Sequence, residues 1–423
     1  MYRLTVLFVL LLAPASTLLA DNWPAWRGAD GTGVSNEQNL PIHWSANDKS
    51  GDKNIRWKVP LPEPCNSTPI VWNEHIFLTQ GFDKGRRRAL IALDRKAGKK
   101  LWQRELPCET KETSHHQNPP CSSSPVTDGK LVYAWFASPG LVALDFEGNE
   151  VWQRDLGPVL SHWGNASSPV VHNDLLFVFH GPGTPSIFYA FDKRTGKTVW
   201  QSQECDINRN IFGSWSTPFV LRTKMREELI MPFPGERVGG TGWFKAFSPR
   251  DGKVLWQCDG LGNEVYAMPI VDRDRNVIVG ISGHNGPMLA VRPGGSGNVT
   301  KTHRLWRTDK RTPERIGSVI IHDGHLFISN VPGTMECLNV KTGESVWKKR
   351  LGGNLWGSIL RSGDKLYVSN IQGDTFVVRA QTEFELIAKN SVGEPTFTAL
   401  APSNGELFLR TYKHLYCIAN EGQ

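Results

Sequence analysis

Short apolar runs separated by Gly-containing turns recur along the chain, and two of them repeat as motifs. In the first, an apolar run leads into A-x-D, then a turn, then a Trp. Copies run from Ala92-Leu93-Asp94 to Trp102, from Ala143-Leu144-Asp145 to Trp152, from Ala190-Phe191-Asp192 to Trp200 and from Ala246-Phe247-Ser248 to Trp256. Weaker copies join Ala290-Val291-Arg292 to Trp306, Cys337-Leu338-Asn339 to Trp347 and Val378-Arg379-Ala380 to Ile387. The second motif is a small polar residue, then Pro or an apolar residue, then β-branched residues, as in Thr68-Pro69-Ile70-Val71 and Ser168-Pro169-Val170-Val171. It occurs eight times against seven for the first. The mismatch has a topological meaning. Leu415-Tyr416-Cys417-Ile418 ends the chain without a Trp strand, while Ile55-Arg56-Trp57-Lys58-Val59 begins the repeats with an unpartnered one, so the two ends complete one unit.

Ile55 to Ala419 is 365 residues, about 46 for each of eight units, which suits a four-stranded propeller blade. The expected fold is all-β: an eight-bladed β-propeller of four-stranded antiparallel blades over residues 55–423, closed by the N-terminal strand completing the last blade. Each blade reads as strands A (the Pro-Ile-Val type), B, C (the A-x-D type) and D (the Trp type). A lone blade leaves both sheet faces apolar, and stacking it between neighbours in a closed ring buries them. The Trp of strand D, on the outer rim, is placed to cover the seam between blades.

Composition narrows the function classes. Gly 41 and Pro 27 in 423 residues make a turn-rich chain, and 16 Trp with only 21% charged residues supply large apolar anchors, which excludes a disordered protein. The net charge of +7 carries only one short basic cluster, Arg86-Arg87-Arg88, so nucleic acid is not an expected partner. After the N-terminus no apolar stretch has the length of a membrane span. Residues 1–20 read as an export signal, with Arg3 before the apolar Val6 to Ala13 and Ala20 before Asp21 as the cleavage point. Residues 21–54, polar and turn-rich around Trp23, Trp26 and Trp44, are expected to pack on the propeller as a non-repeating arm.

The repeat A-x-D-x-x-x-G-x-x-x-W, as in Ala92 to Trp102 and Ala190 to Trp200, resembles the tryptophan-docking repeat of the pyrroloquinoline-quinone (PQQ) propellers. The opening Trp23-Pro24-Ala25-Trp26-Arg27-Gly28 resembles the start of secreted bacterial members with that repeat. The resemblance covers residues 23 to 420 and implies eight blades, with two divergent functions. One branch comprises quinoprotein dehydrogenases, which bind PQQ with Ca²⁺ in the central channel and often carry a disulfide between adjacent Cys. No two Cys are adjacent here. The other branch resembles BamB, a non-enzymatic lipoprotein that binds protein partners, although no lipobox Cys is present. The resemblance thus implies a periplasmic or secreted propeller acting as a binding or assembly scaffold for a protein or carbohydrate ligand. The alternative is a PQQ- and Ca²⁺-dependent dehydrogenase of alcohols or sugars.

Loop lengths point to one sector. From the strand D anchor to the next strand A, the counts are 23 for Trp102 to Pro125, 17 for Trp152 to Pro169 and 18 for Trp200 to Pro218, against 12 or 13 at the other junctions. The B-to-C connections of blades 1 and 4 are also long, and in an antiparallel blade they emerge on the same face as the D-to-A loops. Rigidly held loops carry binding residues, so the loop face of blades 1 to 4 is the expected site. Its candidates are His115, His116, Asn118, His162, Trp163, Asn165 and Trp215, aromatic faces and amides suited to a planar, sugar-like or peptide ligand. Arg237 and the Arg86-Arg87-Arg88 cluster could bind an anionic group. No metal is expected, since adjacent His115 and His116 point apart on a strand and Asn165, Asn263, Glu264 and Glu394 do not align to a quinoprotein Ca²⁺ set.

Seven Cys remain for an oxidising compartment, and an odd number leaves one unpaired. Cys65 and Cys121 each lie four residues before a strand A Pro, in equivalent positions of neighbouring blades. Cys108 shares the longest loop with Cys121, where a bridge would stiffen it. Cys337 and Cys417 hold the Ala position of strand C and are expected to be reduced.

Overall fold

The computed structural model describes residues 21–46, 51–183, 185–205, 213–235, 240–308 and 313–422. The export signal expected at 1–20 lies outside them. Eight sheets form the propeller, each with four antiparallel strands, and those of blades 4 and 7 gain a short fifth strand that pairs parallel. Blade 1 contains Ile70–Trp72, His75–Phe82, Arg87–Asp94 and Lys100–Pro107. In blade 8, Ala401–Ser403, Glu406–Arg410 and His414–Ile418 are completed by Ile55–Pro60, paired from Ile55 opposite Ile418 to Pro60 opposite His414. The two ends of the chain are therefore hydrogen-bonded into one sheet, and the ring has no open edge there.

The A-x-D motif has a separate physical reason at each position. Its small first residue lies directly across the ladder from the Trp: Ala92 faces Trp102, Ala190 faces Trp200, Cys337 faces Trp347 and Cys417 faces Trp57. Its Asp caps the C-to-D turn, as where Asp94 Oδ1 accepts the Ala97 amide at 2.8 Å and Asp192 Oδ1 the Thr195 amide at 2.9 Å. Its Gly lies under the Trp of the preceding blade. Gly252 has φ +70°, and a Cβ there would come within 2.6 Å of the Trp200 ring. The indole N–H then donates to a carbonyl of that next turn, one residue after the Asp position for Trp57 to Arg95 at 3.0 Å, Trp102 to Phe146 at 2.7 Å and Trp200 to Pro249 at 2.9 Å, and two after it for Trp347 to Gln381 at 3.1 Å. Each docked Trp thus joins two blades through ring area and one hydrogen bond.

Two blades depart from the rule. Trp256 donates instead to Oε2 of the fully buried Glu228 in its own blade, at 2.8 Å. In blade 7 the ladder places Ala388 opposite Val377, so the motif runs from Val377-Val378-Arg379 to Ala388 and not from Val378-Arg379-Ala380 to Ile387. Without a Trp to mark the register, the sequence assignment slipped by one residue.

The second motif forms an inner girdle. Its hydroxyl accepts the backbone N–H of the equivalent residue in the preceding blade: Thr68 donates to Ser124 at 2.9 Å, Ser124 to Ser168 at 3.0 Å, Ser168 to Thr217 at 3.0 Å, Met268 to Ser318 at 2.9 Å and Ser318 to Ser358 at 2.9 Å. These N–H groups lie where eight strands converge too closely for ladder pairing, and the small hydroxyls satisfy them.

The arm crosses the channel on the face away from the long loops. Trp23 pairs with Val71 in blade 1, the Thr127 amide of blade 2 donates to the Pro24 carbonyl, and Val34–Ser35 runs parallel to Arg361–Ser362 in blade 7. Between these anchors the buried Arg27 guanidinium donates to the Val319 carbonyl at 2.6 Å, to Ser318 at 3.4 Å and to Ile359 at 3.3 Å. Burial without a carboxylate partner lowers its pKa to about 9.

Candidate functional site

The channel opens on the long-loop face as a cavity of about 500 Å³. Trp26 of the arm lines both this cavity and the space on the far side, so the arm floors it. The wall follows a register. The residue three before the strand A Pro position lines the cavity in seven blades: Asn66, Ser122, Ala166, Trp215, Tyr266, Ile316 and Trp356. Phe397 takes the corresponding sector in blade 8. Short parallel pairing of Gly213–Ser214 with Glu264–Val265 fixes the chain ahead of Trp215 and Tyr266.

Four of the residues expected from sequence line the cavity: His115, Asn118, Trp163 and Trp215. The two long loops that supply them are knit together. Asn118 Nδ2 donates to the Trp163 carbonyl at 2.7 Å, Trp215 Nε1 to Gly164 at 2.8 Å and Thr113 Oγ1 to Ser161 at 2.6 Å. His116 and His162 do not line the cavity but stack around it, with the His115 and His116 rings 4.1 Å apart, His115 and Trp163 4.8 Å apart, and His162 and Trp163 5.0 Å apart. Burial first, then His116 and His162, lower the His115 pKa and keep that imidazole neutral at neutral pH. Asn165 turns away and donates to the Gly181 carbonyl. Arg237 lies outside the described residues.

Two of the three arginines of the basic cluster are spent on carboxylates, while Arg86 stays exposed with its Nε on the Asp83 carbonyl at 3.3 Å. Arg87 pairs with Asp83 at 2.7 Å and Glu105 at 2.5 Å, and the buried Arg88 pairs with Glu112 and donates to the Phe136 carbonyl. Glu394 is likewise engaged, by Thr411 Oγ1 at 2.6 Å and His414 Nδ1 at 2.8 Å. Cys121 does not face Cys108, whose thiol donates to the Thr110 carbonyl at 3.4 Å. It hydrogen-bonds to Cys65 across the seam of blades 1 and 2, beside the buried Arg410. The equivalent positions of Cys65 and Cys121, rather than their loop membership, decided which thiols meet.

Sequence reasoning missed the far wall except Glu264, which it weighed only as a member of a Ca²⁺ set. Glu264, Tyr266, His284 and Glu314 of blades 5 and 6 line the cavity, as do Trp356 and Phe397 of blades 7 and 8. Tyr266 donates to Glu264 Oε2 at 2.5 Å, and Glu314 Oε2 lies 3.9 Å from His284 Nδ1. Burial and the neighbouring Glu264 raise the Glu314 pKa against the lowering effect of His284. These residues sit on short loops, so loop length could not flag them. Their fixed distance from the strand A motif could have.

Fold and channel together define an eight-bladed propeller of PQQ-like repeats. The chain belongs to the family described as outer membrane protein assembly factor BamB, whose model matches residues 46–159 and 87–349. The BamB of Shewanella oneidensis is 24% identical over 249 residues, 55% of this chain and 58% of that protein, so the match spans less than two thirds of the relative. The crystal structure of BamB from Moraxella catarrhalis superposes with a TM-score of 0.59 at 14% identity, over 87% of this chain and 98% of that one. A europium-containing methanol dehydrogenase gives 0.70 at 10% identity, over 94% and 98%. The quinohemoprotein alcohol dehydrogenase ADHIIG of Pseudomonas putida gives 0.67 at 11% identity, over 95% and 81%. At these identities the likeness is one of fold.

The described wall residues do not by themselves fit PQQ. That planar quinone carries three carboxylates, which need Arg, Lys or a metal ion to hold them. Among the described residues the cavity is lined by no Arg or Lys and by two Glu, and no group of three His, Cys, Asp or Glu side chains is spaced to hold a metal.

Proposed function

We propose that this protein is an extracytoplasmic scaffold that binds a protein partner at the channel mouth on its long-loop face. The observation that carries the reading is the mouth itself: a blind cavity with aromatic walls, floored by the chain's own arm and rimmed by loops locked to one another. Such a surface offers rigid aromatic area with few polar anchors, the make-up of a recognition pocket. Family membership supports a binding or assembly role and a protein partner over a carbohydrate one. Export rests on the signal-like residues 1–20, and among the described residues no helix is long and apolar enough to cross a membrane.

Site-specific photo-cross-linking in the native cell envelope tests this. A cross-linking residue at Gln117, in the cavity wall, is expected to give one discrete adduct, and one at Lys96, on a turn of the opposite face, none. Equal labelling from both positions, or no adduct from Gln117, defeats the reading.

A further inference from the structure

The cavity wall is polarised. Around the mouth stand Trp163, Trp215, Tyr266, Trp356 and Phe397, with Trp215 and Tyr266 packed edge to face at 5.3 Å and Trp356 and Phe397 at 5.0 Å. Tyr412 stacks on Phe397 at 5.0 Å from outside and donates to the His116 carbonyl at 3.1 Å, tying blade 8 to the blade 2 loop. Between the two aromatic groups lie Glu264 and Glu314, on neighbouring blades. The formal charge of the described wall is therefore negative, although the whole chain carries +7. Two wall groups also lack a hydrogen-bond partner: Asn66 Oδ1, an acceptor, and Trp356 Nε1, a donor.

These features select a ligand chemistry. Aromatic faces attract a cation through the ring quadrupole, and the attraction grows when water is excluded. A carboxylate pair in a partly desolvated cavity favours any ligand that brings a positive charge between them. An anionic ligand would meet two carboxylates and no described Arg or Lys.

Resting on the reading of the mouth as a protein-binding site, we propose that the cavity receives an extended segment of the partner chain and lodges its arginine or lysine side chain between Glu264 and Glu314. A cavity of about 500 Å³ has room for a few residues in extended form, more than a single side chain needs. The aromatic groups flank the aliphatic stem while the carboxylates take the charged head, the division such amphipathic side chains favour.

The test uses the whole folded protein and isothermal titration with the blocked peptide Ac-Gly-Ala-Arg-Ala-Gly-NH2 and its citrulline counterpart, which keeps the shape and loses the charge. The arginine peptide is expected to bind at least tenfold more tightly. In Glu264→Gln/Glu314→Gln that preference should vanish, whereas Asp251→Asn, on the opposite face, should keep it. Thermal melts followed by circular dichroism establish that the double variant is folded, and Trp356→Leu provides a second variant expected to weaken the arginine peptide. Equal binding of both peptides, no binding of either, or a preference that survives the double variant overturns the proposal. So does spermidine binding that the arginine peptide fails to displace, since it would assign the cavity to small polyamines. A discrete Gln117 adduct with any of these results leaves the scaffold reading standing and removes only this one.

Discussion

Trp200→Phe and Trp256→Phe remove the same atoms from equivalent positions in adjacent blades, yet their consequences should differ. Both rings are buried, Trp200 at 8% exposure and Trp256 at 0%. Loss of the indole's two extra carbons costs about 1.6 kcal/mol in either case, taking about 0.8 kcal/mol for each buried CH₂-sized group. The hydrogen bonds are not equivalent. Trp200 donates to a neutral carbonyl, that of Pro249, and such a bond is worth about 1 kcal/mol net. Trp256 donates to Glu228, whose remaining donors are Arg226 Nε at 2.9 Å and the Gly294 amide at 3.4 Å. A hydrogen bond to a buried charge is worth about 2 kcal/mol, and its loss leaves a carboxylate under-solvated in the core. The expected costs are thus about 3 kcal/mol for Trp200→Phe and about 4 kcal/mol for Trp256→Phe. Urea unfolding followed by far-ultraviolet circular dichroism reads both without relying on tryptophan emission. In a Glu228→Gln background, the cost of Trp256→Phe should fall to that of Trp200→Phe. An equal or larger cost at Trp200, or no change in that background, refutes the assignment of the extra stability to the Trp256–Glu228 bond.

Other expectations follow from the same contacts. Ser124→Ala orphans the buried Thr68 amide and should cost about 1 to 3 kcal/mol in urea unfolding, with Ser124→Thr close to wild type. Diamide, an azo oxidant that takes up the two thiol hydrogens, should join Cys65 to Cys121 in peptide maps and leave Cys108 free to alkylate; a Cys108–Cys121 peptide would contradict the structure. Burial pushes Cys337 up to about 12, so iodoacetamide should reach it only after unfolding. Binding of the arginine peptide should be full at neutral pH and weaken as pH falls through the raised Glu314 value, above the range of an exposed Glu. The charged and titratable groups facing Glu314 among the described residues are Glu264, Tyr266 and His284; Glu314→Gln should flatten the profile. Trp44→Ala should cost about 3 to 5 kcal/mol, as for a core Trp, and an arm that merely decorates the ring would give a far smaller loss.

Blade number, strand order and ring closure were legible in the sequence because each repeat carries its own register mark. An Ala opposite a Trp, an Asp capping a turn and a Gly under the neighbouring ring recur at fixed spacing, and none depends on a distant residue to be recognised. Where the mark is missing, the reading slipped: blade 7 lacks the Trp, and Ile387 was taken for Ala388. The site was half legible. Long loops drew attention to His115, Asn118, Trp163 and Trp215, which do line the cavity. Length says nothing of short loops, though, and Glu264, Glu314 and Trp356 come from junctions of ordinary length. Their convergence follows from radial geometry, since the same register position of every blade faces the channel. The partners of Arg87, Arg88 and Glu394 were illegible for another reason. Whether a charge is open or spent depends on residues brought beside it by folding, such as Glu105, Glu112 and His414.

The missing Trp of blade 7 is itself a consequence of how the ring closes. A docked Trp needs the next blade's C-to-D turn, with its carbonyl and its Gly, to rest upon. Blade 8 has no such turn, because its strands C and D come from opposite ends of the chain and meet where the Ala419 amide donates to the Asn54 carbonyl. A Trp at Ala388 would have no receptor. The arm occupies that seam instead. The Trp44 amide donates to Asn390 Oδ1 at 2.9 Å, Asn390 Nδ2 returns a bond to the Ile42 carbonyl at 2.9 Å, and the Ala46 amide donates to Ser391 at 3.1 Å, all on the D strand that carries Ala388. Trp44 and Leu40 are buried in one apolar cluster with Ala388, Val377 and Leu400. An indole from outside the repeats thus fills the seam that the repeats cannot staple, and the same segment, through Trp26, floors the cavity. Closure of the ring and construction of the site therefore depend on one stretch of chain. A change in the arm that loosens the blade 7 to 8 seam should also disturb the channel mouth, even though no residue of the mouth is altered.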